Sequence, residues 1–258
     1  MDVWRELADL EKQGIQAALV TVIGTKGSVP REVGAKMIVQ QDGTISGTVG
    51  GSAVEALVIK DALEAISQGK ARTVEYSLDD AEKASTGMIC GGRMEFFIEP
   101  LRRVPRLYIF GGGHIALPLA RIAAELGYLY SIFDDRPEFA SEARFPTAAL
   151  RRVGSYDEMT AELELIPPAY IIVITRCHET DLAVMRGVLD MEYEYLGLIC
   201  SRKKKVEMFK LLEAEGFSRD RLDCVHAPIG LDIGSKTPAE IAVSIMAEII
   251  KEFQQNRI

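Results

Sequence analysis

Two glycine turns, four scattered thiols and one cluster of acids and arginines are the groups in this chain with chemistry to offer. Gly111-Gly112-Gly113-His114-Ile115-Ala116 follows an apolar run at 107–110, and Asp134-Asp135-Arg136 closes the next apolar run at 130–133. Strand, glycine turn, helix, strand and acid, in that order, is the G-x-G-x-x-A form of a dinucleotide-binding βαβ unit. Gly111 permits the tight turn off the strand, Gly113 lets a pyrophosphate approach the backbone, and Ala116 lets the helix pack close. The helix start then offers free N–H groups and a positive dipole end to phosphates. His114 sits in the first turn on the same side. Asp134 is expected to accept hydrogen bonds from ribose hydroxyls, and Arg136 beside it suits a ribose phosphate. The bland alternative is a glycine turn that only packs a helix on a sheet.

A second turn, Gly47-Thr48-Val49-Gly50-Gly51-Ser52-Ala53-Val54-Glu55, repeats the pattern of strand, glycines and helix. Gly50, Gly51 and Ser52 therefore form a second anion-friendly helix start. Cys90-Gly91-Gly92 places a thiol in a glycine loop, where backbone can approach a ligand closely. Thiol reactivity follows exposure and local positive potential, which makes Cys90 a candidate functional residue. Arg176-Cys177-His178 follows a strand end, so Cys177 is a second candidate, open equally to a packing role. Cys200 and Cys224 read as small buried packing residues. His226 reads as loop structure, and Arg202–Lys205 as the solvated start of a helix.

These groups need elements to hold them. Up to about residue 100 the pattern is mixed: helix 2–12, strand 17–23, a polar turn, strands 36–40 and 44–49, helix 53–68, and strands 72–77 and 93–99. The Pro- and Arg-rich segment 100–106 marks a boundary. Strands at 107–110, 130–133, 149–153, 170–175 and 195–200 then alternate with helices at 157–163, 181–190 and 203–215, which means a parallel sheet covered on both faces. Thr237, Pro238 and Glu240 give a capping box for a last helix. The fold class is α/β, with a smaller N-terminal α+β domain over 1–101 and a Rossmann-like C-terminal domain over 105–258.

The 258 residues are 48% hydrophobic and 26% charged, ordinary for a globular protein. A net charge of −8 argues against sequence-independent nucleic-acid binding. Residues 1–6 read as a surface helix rather than a signal peptide, and no apolar run reaches membrane-spanning length. The cysteines form no C-x-x-C, which points to a reducing cytoplasm rather than a disulfide framework or structural zinc. A homodimer is the base-rate expectation.

Together, residues 24–31 (GTKGSVPR), 47–55, Cys90-Gly91-Gly92, 111–116, Asp134-Asp135-Arg136 and 228–234 (PIGLDIG) resemble the XdhC/CoxI family over nearly the full length. Where the family often has glycine, this chain has Ser52 and Cys200. The resemblance implies an accessory protein for xanthine dehydrogenase and related molybdenum hydroxylases. Such a protein binds the molybdenum cofactor (molybdopterin), shelters it while a cysteine desulfurase supplies sulfur, and hands it to the hydroxylase apoenzyme. It also implies that Cys90 is a molybdenum or sulfur ligand, since soft partners suit a thiolate. The chain is then a cofactor-binding chaperone more than a turnover enzyme. Two other readings stay open: an NAD(P)-dependent oxidoreductase with Cys177 or His178 near the hydride site, and a nucleotide-sensing regulatory module.

Overall fold

Asp2 begins the first helix by accepting the Trp4 and Arg5 N–H groups at 3.2 and 3.3 Å, and Gly14 at φ 72° ends it. The computed structural model describes residues 2–78, 92–101 and 103–255. It divides into two compact units, one running to Arg103 and the other starting at Val104.

The first unit contains α1 (Val3–Gln13), β1 (Ala17–Lys26), β2 (Lys36–Gln40), β3 (Ile45–Gly47), α2 (Ser52–Gln68), β4 (Arg72–Ser77) and β5 (Arg93–Pro100). Its strands form an antiparallel sheet in the order β3-β2-β1-β5-β4. Period-two alternation assigns the faces. Ala18, Val20, Val22, Met37, Val39, Phe96 and Ile98 pack with Val54, Val58, Ala62 and Ala65 of α2. Ala17, Leu19 and Ile38 face the other way, against Leu7 and Leu10 of α1. Strand β3 is shorter than the expected 44–49 because the backbone N–H groups of Val49 and Gly50 turn to a side chain, Glu55, instead of a neighbouring strand.

The second unit contains β6 (Arg106–Phe110), α3 (Ala116–Glu125), β7 (Leu129–Asp134), β8 (Leu150–Val153), α4 (Tyr156–Ala161) and β9 (Ala169–Val173). It continues with α5 (His178–Val188), β10 (Tyr195–Leu198), α6 (Arg202–Ala214), α7 (Arg219–Asp223) and α8 (Pro238–Gln255). The strands are parallel, in the order β10-β9-β6-β7-β8. This is the doubly wound arrangement expected from the alternating pattern. Leu107, Ile109, Tyr170 and Ile172 point to α3 and α8, while Tyr108, Phe110, Ile171 and Val173 point to α4, α5 and α6. Every residue of β9 is buried, which explains its unbroken apolar sequence. Each fully buried Ile or Val there contributes about 1.5–3 kcal/mol.

The chain leaves β6 toward β7 and β8, then returns past β6 to lay down β9 and β10. The strand order therefore reverses between β6 and β9, and the crevice beyond their carboxyl ends is where such sheets bind ligands. Among the described residues no helix is long and apolar enough to cross a membrane.

Candidate functional site

Phe110 ends β6, and the chain must turn at once to start α3. Gly111 makes that turn at φ +105°, which a Cβ would oppose, and a Cβ would also overlap the carbonyl of Ile174. A Cβ on Gly112 would overlap the carbonyl oxygen of Phe139. Gly113 differs, because a Cβ there would meet no atom within 4 Å. The first two glycines are thus filled by the protein itself, and the third faces open space. Ala116 is fully buried under the helix, as expected for close packing on the sheet. The position before it, Ile115, supplies no side-chain cap, and α3 has no acidic residue in its first turn. His114 is exposed beside it.

Asp134 is placed otherwise than the sequence led us to expect. Its side chain is 0% exposed. Oδ2 accepts the Gly112 N–H at 2.8 Å and an Arg136 guanidinium N–H at 3.1 Å, while Oδ1 accepts the Arg136 backbone N–H at 3.0 Å and its Nε–H at 2.9 Å. Four donors occupy the carboxylate, so it braces the glycine turn instead of facing a ribose. Burial alone would raise its pKa. The Arg136 guanidinium and the Gly112 and Arg136 N–H groups outweigh burial and hold it below the usual carboxylate range. Arg136 is committed to the same pair and lies over the Phe139 ring, its guanidinium carbon 3.6 Å from the ring centre.

A residue that sequence reasoning missed completes this edge. Arg144 donates to the Gly112 carbonyl at 3.0 Å. Asp135 is held by Arg176 at 2.6 Å and by Arg136 at 3.6 Å, which ties the loop after β7 to the loop after β9.

The thiol at 177 also differs from expectation. Cys177 is the N-cap of α5: its sulfur takes the N–H three residues on, and Thr180 Oγ1 returns to the Cys177 N–H at 3.3 Å. This reciprocal box explains why α5 begins at His178 instead of 181, and it gives Cys177 a capping role. Behind it, Asp181 is almost wholly buried. Burial raises its pKa despite a hydrogen bond from Thr175 and an ion pair with Lys204 at 3.1 Å. Lys204 therefore pins α6 to α5, so the basic run 202–205 is not wholly solvated. Cys200 is half-buried, with its thiol pushed up by burial, whereas Cys224 is exposed and ends α7. The packing role expected of Cys224 does not hold. His226 is more than loop: it pairs with Gly197 as a parallel bridge.

In the first unit, the second glycine turn has its own anion. Glu55, in the first turn of α2, accepts the N–H groups of Val49 and Gly50 at 3.3 Å each and the hydroxyl of Thr48. A carboxylate already sits where an external anion was expected, which removes most of the attraction of this helix start. A Cβ on Gly50 would lie 2.7 Å from Val54, whereas Gly51 is exposed and open. Ser52 begins α2. Gly92 is buried, and a Cβ there would collide with the Ser28 carbonyl, so its close approach is to the chain itself and not to a ligand. Pro30 lies by Gly50 and Ser28 by Gly92, so the 24–31 loop joins both glycine motifs. Cys90 and Gly91 lie outside the described residues.

Two family models match the chain: the XdhC Rossmann domain over residues 107–249, and the XdhC and CoxI family over residues 10–77. The Escherichia coli (strain K12) protein YqeB is 32% identical over 97% of this chain and 46% of its own length. A Bacillus subtilis protein, named as a probable xanthine dehydrogenase component, is 29% identical over 60% of this chain and 45% of its own. The chain spans about half the length of these two relatives. The Escherichia coli molybdenum cofactor insertion chaperone PaoD is 25% identical over 92% of this chain and 83% of its own. A Bacillus halodurans crystal structure described as a xanthine dehydrogenase aligns with a TM-score of 0.54 at 21% identity, over 99% of this chain and 96% of that one. That likeness speaks for the fold alone. With its Rossmann domain matched from β6 into α8 and its first unit matched from α1 to β4, the chain belongs to the XdhC and CoxI family.

Proposed function

We propose that this protein is an accessory factor for molybdenum hydroxylases, which binds the molybdenum cofactor as cargo and passes it to the hydroxylase apoenzyme. Family membership supports the reading, as does likeness to a protein named as a molybdenum cofactor insertion chaperone. The observation that carries it is the turn at 111–114. A helix start with no side-chain cap and no acid in its first turn adjoins a glycine with open space over it. The cofactor ends in a phosphate, or a diphosphate in its nucleotide form, and such a start suits either.

In this reading Gly111 and Gly112 shape the turn, Gly113 and His114 meet the anionic end, and Asp134 with Arg136 braces it. The first unit contributes the thiol. Cys90 stands two residues before Gly92 and serves as the molybdenum or sulfur ligand, with Gly91 beside it. A cysteine desulfurase supplies the sulfur. Exposed Gly51 and neighbouring Ser52 offer backbone to the cargo, while Gly50 and Gly92 hold the loops of that unit together. The protein acts in the cytoplasm as a homodimer, with residues 1–101 and 105–258 as its functional domains, and carries cargo without turnover of its own.

The test is the content of the purified full chain from molybdenum-replete cells, read as metal by mass spectrometry and as pterin by the fluorescence of its oxidised form. Molybdenum and pterin retained by the native chain, and lost in Gly113→Val, support the reading. Retention of NAD or NADP without pterin, with steady turnover of a carbonyl substrate, would replace it with the nicotinamide-dependent oxidoreductase. Nucleotide retention without turnover or pterin would favour the regulatory module.

A further inference from the structure

Two aspartates are sealed on the carboxyl side of the parallel sheet, and they are served very differently. Asp134 is 0% exposed and takes four donors. Asp181, in the first turn of α5, is 1% exposed and takes two side-chain donors, the Thr175 hydroxyl on Oδ1 and the Lys204 ammonium on Oδ2 at 3.1 Å. An ionised carboxylate has about four places for a donor, so side chains fill half of the capacity of Asp181. Lys204 belongs to the first turn of α6 and keeps 31% of its side chain in solvent.

We infer that Asp181 and Lys204 form an acid-operated latch between the starts of α5 and α6, which protonation of the carboxylate opens while the sheet stays folded. The two helices follow β9 and β10, so the latch stands on the side of the sheet that carries the crevice.

Three observations converge on it. First, α6 begins with Arg202, Lys203, Lys204 and Lys205 and has no acid in its first turn. Four cations at the positive end of a helix oppose its dipole and one another, and the Asp181 carboxylate is the anion brought there to offset them. Second, the rest of α6 is held by other means. Met208, Phe209 and Leu212 are buried against the sheet, and Arg186 grips Glu215 at the far end with two bonds of 2.7 Å. Losing the latch therefore frees the first turn alone. Third, burial raises the pKa of Asp181, and the Thr175 hydroxyl and Lys204 ammonium, which favour its charged form, do not offset that. A carboxyl held above its unfolded value costs stability above that pH, and the cost is relieved as the pH falls through the folded value. Acid thus opens this contact with a gain in stability, the opposite sign to Asp134. The other titratable groups around the pair are Cys177, His178 and Glu179 at the start of α5, and Cys200 and Lys205 at the start of α6.

Hydrogen–deuterium exchange of the full chain between about pH 7 and about pH 4, read as protection relative to an unstructured peptide, tests the latch. In the native chain the amides of residues 204–207 are expected to lose about tenfold in protection as Asp181 takes up its proton, the scale of one bond to a charged group. Those of β6 and β9 should keep theirs. Asp181→Asn, a neutral stand-in for the protonated acid, should leave the same amides loose across the whole range. Its Tm at neutral pH should be no lower than the native one, because the buried charge is gone. Lys204→Met carries the test if Asp181→Asn does not fold, and should loosen the same amides at neutral pH. Flat protection in the native chain, or full protection in Lys204→Met, would overturn the latch. An equal acid loss in Asp181→Asn would assign the effect to His178 or Glu179 and overturn it as well. A Tm of Asp181→Asn lower by more than about 5 °C would make the pair a support of the fold and not a release.

Discussion

The turn before α2 and the turn before α3 have nearly the same sequence logic, strand then glycines then helix, but opposite electrostatics. At α2 a carboxylate from the helix itself, Glu55, folds back on the loop N–H groups. At α3 the carboxylate comes from the end of the next strand, is sealed beneath the turn and is neutralised by Arg136, while Arg144, on the Gly112 carbonyl, has no ion pair among the described residues. A helix start recruits an anion only if the chain has not already supplied one. Glycine content does not distinguish the two cases. What fills the space of each missing side chain does, as do the signs of the nearest charges.

Five substitutions can break or sharpen that contrast. The largest effect is expected at Gly112→Ala, where the new methyl group overlaps the Phe139 carbonyl. Backbone cannot yield as a flexible side chain would, so a loss of ~3 kcal/mol or more is expected by urea unfolding, whereas Gly113→Ala should stay within ~1 kcal/mol. Equal losses at both would show that the open space over Gly113 is not real.

Next comes Asp134→Asn, which leaves the Arg136 guanidinium only the more distant Asp135 as a charge partner and should cost ~2–4 kcal/mol at pH 7. The pH dependence follows from the depressed pKa of Asp134. A carboxylate held below its unfolded value of about 4 contributes stability above that value and loses it as the pH falls through the folded one. The native chain should lose this contribution on acidification and the variant should not. Parallel curves for the two proteins between neutral pH and the acid limb would contradict the brace.

Glu55→Gln should cost ~1–2 kcal/mol, because the amide can still accept from the loop but without charge. It should also make the α2 start more attractive to anions, so weak pyrophosphate binding appearing there would confirm that Glu55 occupies the place of a ligand. The smallest effect is expected at Thr237→Ala. It removes the cap of α8, whose Oγ1 takes the Glu240 N–H at 3.3 Å, at ~1 kcal/mol with no change in anion affinity.

The architecture of the second unit was legible because its strands, the edge strand β8 apart, are mostly apolar on both faces and its helices are amphipathic. That pattern survives any detail of packing. The capping box at Thr237 and Glu240 was equally plain, since its partners are three residues apart and need no tertiary fold. Asp134 was not legible. A carboxylate at a strand end has the same sequence signature whether it points to solvent or to the turn beneath, and the deciding donors on Gly112 and Arg136 meet it only after folding. The Cys177 cap was hidden because cysteine is not a usual helix cap, although Thr180 three residues later was a faint sign. Glu55 stands within the second glycine motif, but a glutamate in a first helical turn looks the same in sequence whether it reaches solvent or folds back on the loop. Arg144 stands in a loop with no motif around it, and its bond to the Gly112 carbonyl, 32 residues back in the chain, exists only after folding.

The reversal of strand order between β6 and β9 also has a consequence for biosynthesis. One wall of the crevice is made by Phe110 and its turn, the other by Ile174 and Thr175, joined through the bond from the Ile174 N–H to the Phe110 carbonyl. A ribosome must translate the whole stretch between them before the two walls can meet, and closing so long a loop is slow. A nascent chain therefore lacks this crevice until the middle of the sheet has assembled, so any ligand found there would report that the inner strands are in place.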